Sequence, residues 1–356
     1  MIKELNWEAV EAFTGHVAGH LTGAVTTAML VLGDELGLYR GMASAGPITS
    51  AALAEATGTH ERLVREWLAQ QAAAGFVDHD ATSGTFTLPA ERAAVLASDD
   101  SPAALVGAAL MPAGVFRGLD KLAHAFRTGK GVAWGDQDKV IFAGTERFFR
   151  VSYRNSLVNE WIPALDGAAS KLAAGARVAD IGTGHGAPLL ILADAYPMSQ
   201  FVGYDAHPRS VEIANQRASE EGVTDRVRFE VADAVGYRGI GYDLICFFDA
   251  LHDLGDPVSA AAHARHALAP EGTLMIVEPL AYDDLSTNLA HNPMAAMQYG
   301  ASTALCVPHS LSEPVGLGLG AQAGEARLRD VLTEAGFGRV RRAAETPFNV
   351  VLEARP

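Results

Sequence analysis

The stretch "YDLICFFDALHDLGDP" places a histidine and two aspartates directly after an apolar run. His252 and Asp253 are adjacent, Asp249 comes three residues earlier, and a Gly and a Pro then break the chain. An imidazole with an ordinary pKa of about 6.5 can take a proton from a substrate hydroxyl, and it can also bind a metal ion. The alternative is that Asp253 caps a helix and His252 only packs beside it. These residues are the first candidates for catalysis, with Asp249 as a base or a further metal ligand.

A second candidate site lies in "VADIGTGHG", which follows a predicted strand and contains Asp180, Gly182, Gly184 and Gly186. Glycines let the backbone turn tightly at the carboxyl end of a strand, where a ligand can approach the main chain. The third glycine comes two residues after the second, so the stretch does not fit the dinucleotide pattern G-x-G-x-x-G. We therefore expect a cofactor loop of another kind.

The elements that must position these residues begin at Ala176. Short apolar strands alternate there with helical stretches, which predicts parallel strands joined by crossovers in a doubly wound α/β domain. The predicted strands are "ARVADIG", "QFVGYDA", "VRFEVAD", "YDLICFF" and "TLMIVEP", followed by a late helix "ARLRDVLTEAGF" and a terminal strand "FNVVLEAR".

The N-terminal part has a different pattern. Residues 5–40 are predicted to be helical, and Thr49 or Ser50 can cap a short helix. A second helix over His60–Ala74 and a hairpin in "GFVDHDATSGTFTL" complete a winged-helix order. We predict a winged-helix and dimerisation domain over 1–115, a helical linker and pocket lid over 116–170, and a cofactor-binding domain over 171–356.

The D-x-G-x-G-x-G spacing resembles motif I of the class I S-adenosylmethionine (SAM) methyltransferases. Asp205 at the end of the second strand, Asp233 in "VADA" and the segment "GYDLICFFDALHD" match further motifs in the same order. With its winged-helix half, the whole chain resembles bacterial small-molecule O-methyltransferases and α-keto acid C-methyltransferases. The motif segments "GTERFF", "LHDLGDP" and "LGAQAGEARLR" carry the closest likeness.

The resemblance implies that SAM is the cofactor and that the first domain pairs two subunits and roofs the substrate pocket. Asp205 would accept both ribose hydroxyls, and Asp233 would meet the adenine. The other residues implied near the cofactor are Asp180, Gly182, Gly184, Phe248 and Tyr153.

Two reactions are compatible with this resemblance. In O-methylation, His252 is the general base and Glu278 in "IVEPL" holds its tautomer. The sequence favours α-keto acid C-methylation. In that reaction, His252 and a downstream histidine hold a divalent or ferric ion that acidifies the substrate carbon. His309 is the preferred second ligand and His291 the reserve. A third interpretation is that the protein is a SAM-responsive DNA-binding regulator.

Other residues have weaker signals. Arg147 could clamp a substrate carboxylate, although pairing with helix acids is an equal alternative. Met297 and Tyr299 could form an apolar substrate wall or a seam between helices. His16 and His20 have helical i, i+4 spacing, which favours interface or surface residues over a zinc pair.

Composition narrows the class of protein. The formal net charge of -15 repels nucleic acid and anionic membranes, and "HERLVREWLAQQ" offsets two Arg with two Glu. Cys246 and Cys306 lie in apolar surroundings and are predicted to be buried thiols. The N-terminus lacks a signal-peptide pattern, and no unbroken run of 18 apolar residues indicates a membrane span. We predict a cytoplasmic homodimer that acts on a small molecule and binds neither nucleic acid nor membrane.

Overall fold

The computed structural model describes residues 5–356 and separates into two compact units. The first unit runs to Phe116 and includes Lys139–Val151, and the second comprises Arg117–Asp138 and Ser152–Pro356. The segment 116–170, predicted as a linker and lid, is divided between the two units. The domain boundaries at residues 115 and 170 stay predictions.

The helices are α1 (Trp7–Glu35), α2 (Leu38–Ala45), α3 (Ser50–Thr57), α4 (Glu61–Ala73), α5 (Ala90–Leu96), α6 (Leu110–Arg117), α7 (Leu119–Thr128), α8 (Lys139–Ser152), α9 (Ile162–Ala164), α10 (Ala168–Ala174), α11 (Ala187–Ala195), α12 (Pro208–Glu220), α13 (Pro257–Ala267), α14 (Leu285–His291), α15 (Ala295–Ala301), α16 (Val307–Ser312) and α17 (Gly324–Glu334). The strands are β1 (Asp78–Asp80), β2 (Thr85–Thr87), β3 (Arg177–Ile181), β4 (Gln200–Asp205), β5 (Val227–Val231), β6 (Tyr242–Phe248), β7 (Leu268–Pro279), β8 (Arg339–Glu345) and β9 (Asn349–Arg355). The 3₁₀ turns are Val106–Ala109, Trp134–Asp136 and Leu251–Asp253, and the π-helical segments are Tyr153–Trp161 and Ser302–Cys306.

The first unit has the predicted winged-helix order. The Thr49 side chain caps α3 by accepting a hydrogen bond from the Ala52 amide, and Gly58 in the left-handed conformation ends the helix. After α4, β1 and β2 pair antiparallel with His79 opposite Phe86. The prediction of two helices and a hairpin is therefore confirmed.

Only the C-terminal part of helix α1 packs within the first unit, since residues 11–23 are all exposed. A Cβ at Gly33 would lie 2.5 Å from the Tyr39 ring, so glycine permits this close approach. The Trp67 indole N–H donates to the Met29 carbonyl oxygen at 2.9 Å. The exposed side of the helix is apolar and includes Trp7, Phe13, Val17, Leu21 and Val25.

By length and composition, α1 is also the helix that could cross a membrane. This is weak evidence, because core helices of soluble proteins and signal sequences pass the same test. The sequence criterion of an unbroken apolar run missed the helix, since Gly, Thr and His residues interrupt it.

The second unit is built on a seven-stranded sheet in the order β5-β4-β3-β6-β7-β9-β8. Strands β3 to β7 are parallel, and β9 is antiparallel to both β7 and β8. The predicted mostly parallel α/β domain is confirmed. Because the chain moves outward from β3 in one direction and from β6 in the other, the carboxyl ends of these two strands open a crevice suited to a ligand.

Candidate active site

In the glycine-rich turn after β3, two glycines allow close packing and the third leaves room for a ligand. All three have positive φ: 76° at Gly182, 53° at Gly184 and 81° at Gly186. A Cβ at Gly186 would collide with the Phe229 ring at 2.5 Å, and one at Gly182 would lie 2.8 Å from the Ala250 side chain. Nothing lies within 4 Å of a Cβ at Gly184. The backbone is therefore open at the middle glycine, where a ligand can approach it.

Two acids flank this turn. Asp180 is fully buried, and within the described part of the chain neither of its carboxylate oxygens has a well-formed hydrogen bond. Burial raises the pKa of Asp180 to about 7. Asp205 accepts hydrogen bonds at 2.8 Å from the amides of Gly184 and His207. Asp180 is thus a buried acid with no well-formed hydrogen bond, and Asp205 is bonded to the open turn. Together they suit a ligand that carries cationic and hydroxyl groups.

Tyr153 and Phe248 meet beside these acids. Tyr153 opens a π-helical segment, and its ring centre lies 5.3 Å from that of Phe248 with the planes at 60°. Its hydroxyl donates to Asp249 Oδ2 at 3.0 Å, and Asn349 Nδ2 donates to Asp249 Oδ1 at 2.9 Å. Burial, reinforced by the nearby Glu278 carboxylate, raises the pKa of Asp249 to about 8. Asp249 is therefore a partly buried group held by Tyr153 and Asn349, and its role as a base or a metal ligand stays a prediction.

The structure brings His252 and Glu278 together at the end of the sheet. His252 lies in the 3₁₀ turn Leu251–Asp253 and is 4% exposed, and Glu278 near the end of β7 is 1% exposed. Glu278 Oε1 accepts from the amides of Leu251 at 3.0 Å and His252 at 3.3 Å. Glu278 Oε2 contacts His252 Nδ1. This carboxylate fixes both the turn and the ring, and it directs Nε2 to the other side.

The carboxylate of Asp253 faces that second nitrogen, with Oδ1 at 3.0 Å from His252 Nε2. Burial by itself lowers the pKa of His252, but the negative charges of Glu278 and Asp253 outweigh it and hold this pKa well above its ordinary value. Burial would raise the pKa of Asp253, and the His252 charge keeps it below its ordinary value. The imidazole of His252 therefore lies between the carboxyl groups of Glu278 and Asp253.

The two histidines expected beside His252 as metal ligands have other neighbours, and the metal site stays a prediction. His309 Nδ1 accepts a hydrogen bond from the Trp134 amide at 3.1 Å, and its Nε2 lies 3.5 Å from a Glu313 carboxylate oxygen. The reserve ligand His291 is exposed at the end of α14, with its ring 6.2 Å from that of Tyr282. Both rings are occupied by neighbours other than His252.

Another set of donors lies next to His252. Among the described residues, His252, Asp253 and Cys306 present potential ligand atoms within 4.8 Å of one another. Burial raises the pKa of the Cys306 thiol to about 12. The second histidine that the C-methyltransferase resemblance implied is not among these three donors.

Arg147 is committed to acids of the first unit. Its guanidinium contacts Asp34 at 2.5 Å and Asp99 at 2.6 Å, and its Nε also donates to Asp99 at 3.1 Å. The expected substrate clamp is replaced by the ion pairing that the sequence had left open, because the donors of the planar guanidinium are directed at these two carboxylates.

The remaining predicted site residues are Asp233, which could contact adenine, and Met297 and Tyr299, which could line the substrate pocket. Asp233 is exposed and accepts a hydrogen bond from the Val235 amide at 3.1 Å, so its contact with adenine stays a prediction. Met297 is 45% exposed on α15, and Tyr299 is partly buried on the same helix. Their role in a substrate wall also stays a prediction.

Several residues of the site were not predicted from the sequence. Asn349 comes from β9, and Trp134 and Cys306 come from segments with no motif. The signal for Asn349 was available only in part, since "FNVVLEAR" has a polar residue at the start of an apolar strand.

Comparison with known proteins agrees with this geometry. Residues 24–98 match a family model described as Rv2258c-like winged HTH domain, and residues 172–336 match one described as Methyltransferase domain. The mitomycin biosynthesis 6-O-methyltransferase of Streptomyces lavendulae is 26% identical over 273 residues, which is 73% of this chain and 76% of that protein. The 3-amino-4-hydroxybenzoate 4-O-methyltransferase of Streptomyces cremeus is 26% identical over 331 residues, or 89% of this chain and 83% of that protein.

A solved structure of a mitomycin 7-O-methyltransferase has a similar fold, with a TM-score of 0.70 and 23% identity over 99% of this chain and 100% of that one. Other curated relatives match over shorter stretches, and the chain spans only 39% to 42% of their length.

The open turn at Gly184, the unpartnered Asp180 and the acid at the end of β4 fit SAM, which carries an ammonium group, a sulfonium and two ribose hydroxyls. These features lie within the part of the chain that matches the methyltransferase model. The chain is a SAM-dependent methyltransferase, with a winged helix-turn-helix domain preceding its methyltransferase domain.

Proposed function

We propose that this enzyme methylates an oxygen atom of a small hydroxylated molecule, with His252 as the general base. The observation that carries the proposal is the contact of Glu278 with His252 Nδ1, which leaves Nε2 as the nitrogen that can accept a proton. When bound, SAM supplies an electrophilic methyl group on sulfur. The base is needed because a neutral hydroxyl is a weak nucleophile.

Each residue around the base has a distinct role in this proposal. Glu278 orients the imidazole and, through the amides of Leu251 and His252, holds the turn that carries it. Asp253 keeps His252 charged until a substrate hydroxyl takes its place beside Nε2. His252 must lose its proton before it can accept one from the substrate, so activity depends on the neutral form of the ring.

The relatives support oxygen as the acceptor atom. Two curated relatives that cover most of this chain are named as O-methyltransferases, one of them acting on a hydroxybenzoate. We extend this to a ring hydroxyl as the substrate class for the present enzyme. Metal-assisted C-methylation of an α-keto acid, favoured from the sequence, has less support, because the relatives that cover most of this chain are named as O-methyltransferases.

The regulator reading is also disfavoured. On α4, Arg62 pairs with Glu66 and Arg65 with Glu61, so the cationic groups of this helix are matched by acids. Phosphate contacts need cationic side chains that are not paired with acids.

We propose instead that the first unit pairs two subunits through the exposed apolar side of α1. We also propose that the enzyme works in the cytoplasm with Cys246 and Cys306 as free thiols.

The test is a transfer assay with labelled SAM against a panel of phenols and α-keto acids, before and after chelation. Methylation of a phenol by chelated enzyme supports the proposal. We expect His252→Ala to lower kcat by about 10²- to 10⁴-fold, the usual contribution of a general base, while SAM binding persists. Methylation confined to keto acids, or activity lost on chelation, would contradict it.

A further inference from the structure

A pair of histidines on α1 lies apart from the residues used in the proposed reaction. His16 and His20 are four residues apart, so they project from the same face of the helix one turn apart. Both are exposed, and their Nε2 atoms lie 3.2 Å from each other. The two side chains therefore converge on one point outside the helix.

This separation is close to what a single metal ion requires. Two imidazole nitrogens bound tetrahedrally at about 2.0–2.1 Å lie roughly 3.3–3.4 Å apart. Without an ion, the same distance allows one ring to donate its N–H to the other ring. Binding of an ion would replace that shared proton and needs little movement of either ring.

The surroundings leave the pair accessible. From Ala12 to Gly33 the sequence has no Asp, Glu, Lys or Arg, so this part of the helix places no charged side chain beside the pair. Nothing lies within 4 Å of a Cβ at Gly15 or Gly19, so no other atoms crowd the backbone beside the rings. The Phe13 ring stacks on His16 at 5.9 Å and 28°, which restricts one imidazole.

The pair also lies at an edge of the apolar side. With about 100° between successive residues of a helix, His20 and His16 lie roughly 20° and 60° to one side of Phe13, and Val17 and Leu21 lie to the other. A protein surface that covers Phe13, Val17 and Leu21 would therefore reach His20, and His16 would lie farther out at its border.

We propose that His16 and His20 form a binding site for a first-row transition metal ion, for which Zn²⁺ is the probe, with water completing its coordination. Neutral imidazole nitrogens suit zinc, copper and nickel. The site is separate from His252 and does not depend on the proposed methyl transfer.

The experiment is calorimetric titration of the metal-free full-length protein with Zn²⁺. We expect a site that weakens by roughly tenfold or more in both His16→Ala and His20→Ala, since loss of an outer-sphere partner alone costs about 10- to 100-fold in metal affinity. The matched control is His124→Ala, because His124 is an exposed histidine on α7, and the affinity of that variant should equal that of the wild type.

A spacing variant tests the geometry. The double substitution H20A/L21H keeps two histidines but moves them to i, i+5, where they no longer share a face, so zinc affinity should fall as in His20→Ala. Zinc binding that survives unchanged in His16→Ala, His20→Ala or H20A/L21H would overturn the proposal, as would a wild-type protein that binds no zinc. Circular dichroism verifies that each variant folds, and SAM titration verifies the proposed active site separately.

Discussion

His252 lies between two carboxylates that act on it differently, and this gives a prediction at the scale of single residues. The folded-state pKa of His252 is raised, so the neutral ring needed for catalysis is populated only as the pH rises through that value. Asp253→Asn removes one of the charges that raise it. The rise of kcat/KM with pH should therefore move to lower pH in this variant. A pH–rate profile that shifts to higher pH, or does not move, would show that Asp253 does not set the protonation of His252.

Glu278→Gln should have a different effect. The Gln amide keeps the size of the side chain but is uncharged. It cannot replace the carboxylate, which accepts hydrogen bonds from two backbone amides and from the His252 N–H. We expect kcat to fall by about 10²- to 10⁴-fold, as for loss of a general base, with SAM affinity retained. The comparison of kcat with SAM titration decides this, and weakened SAM binding of the same size would indicate general disruption.

Asp205 is the residue whose loss should weaken cofactor binding. Loss of a charged hydrogen-bond acceptor costs on the order of 1.5–3 kcal/mol, so Asp205→Ala should bind SAM roughly 10- to 150-fold more weakly. Asp225→Ala is the control, since Asp225 is exposed and pairs only with its neighbour Arg226. Equal SAM affinity of the two variants in calorimetry would remove Asp205 from the cofactor site.

Residues of the site could be predicted from the sequence when they belonged to a motif at the end of a strand. His252, Glu278 and Asp205 follow or end apolar strands, so parallel packing brings them to one rim. Trp134 and Asn349 could not be assigned this way, because their partners His309 and Asp249 are 175 and 100 residues distant in sequence. The metal pair was predicted from the resemblance and from the types of residue, and the contact between His309 and the Trp134 amide could not be foreseen.

At the scale of elements, the strands that alternate with helices were predictable and the edge strand was not. β8 has the sequence "RVRRAAE", which is rich in charge and lacks the apolar run of a central strand. It exists because β9 pairs with it antiparallel on both sides of a register shift between Arg342 and Ala344. The π-helical segments at Tyr153–Trp161 and Ser302–Cys306 likewise have no sequence signature.

The loop after α16 gives a prediction about stability. Val315 has a φ of 72°, a conformation rare for a β-branched residue, and it is 73% exposed. Glycine would relieve about 1–3 kcal/mol of backbone strain and lose about 0.4–1 kcal/mol through the unfolded chain. Val315→Gly should therefore raise the free energy of unfolding by about 1 kcal/mol. The control is Val235→Gly at an exposed valine with ordinary φ, which should be destabilising in urea titration. A destabilised Val315→Gly would show that the loop needs its side chain.

For the whole molecule, the exposed side of α1 decides between a monomer, a dimer and a membrane-bound protein. Phe13, Val17, Leu21 and Val25 are 42% to 66% exposed, and such a stripe is costly in water unless another surface covers it. We predict a homodimer that V17E and L21E each convert to a monomer, because a buried unpaired carboxylate opposes association. The control is Leu63→Glu, at an equally exposed leucine on α4, which should remain dimeric. Sedimentation velocity measures the wild type and the three variants, and flotation with lipid vesicles tests the membrane alternative. A wild-type monomer, or a wild-type protein that partitions into neutral vesicles, would contradict the dimer.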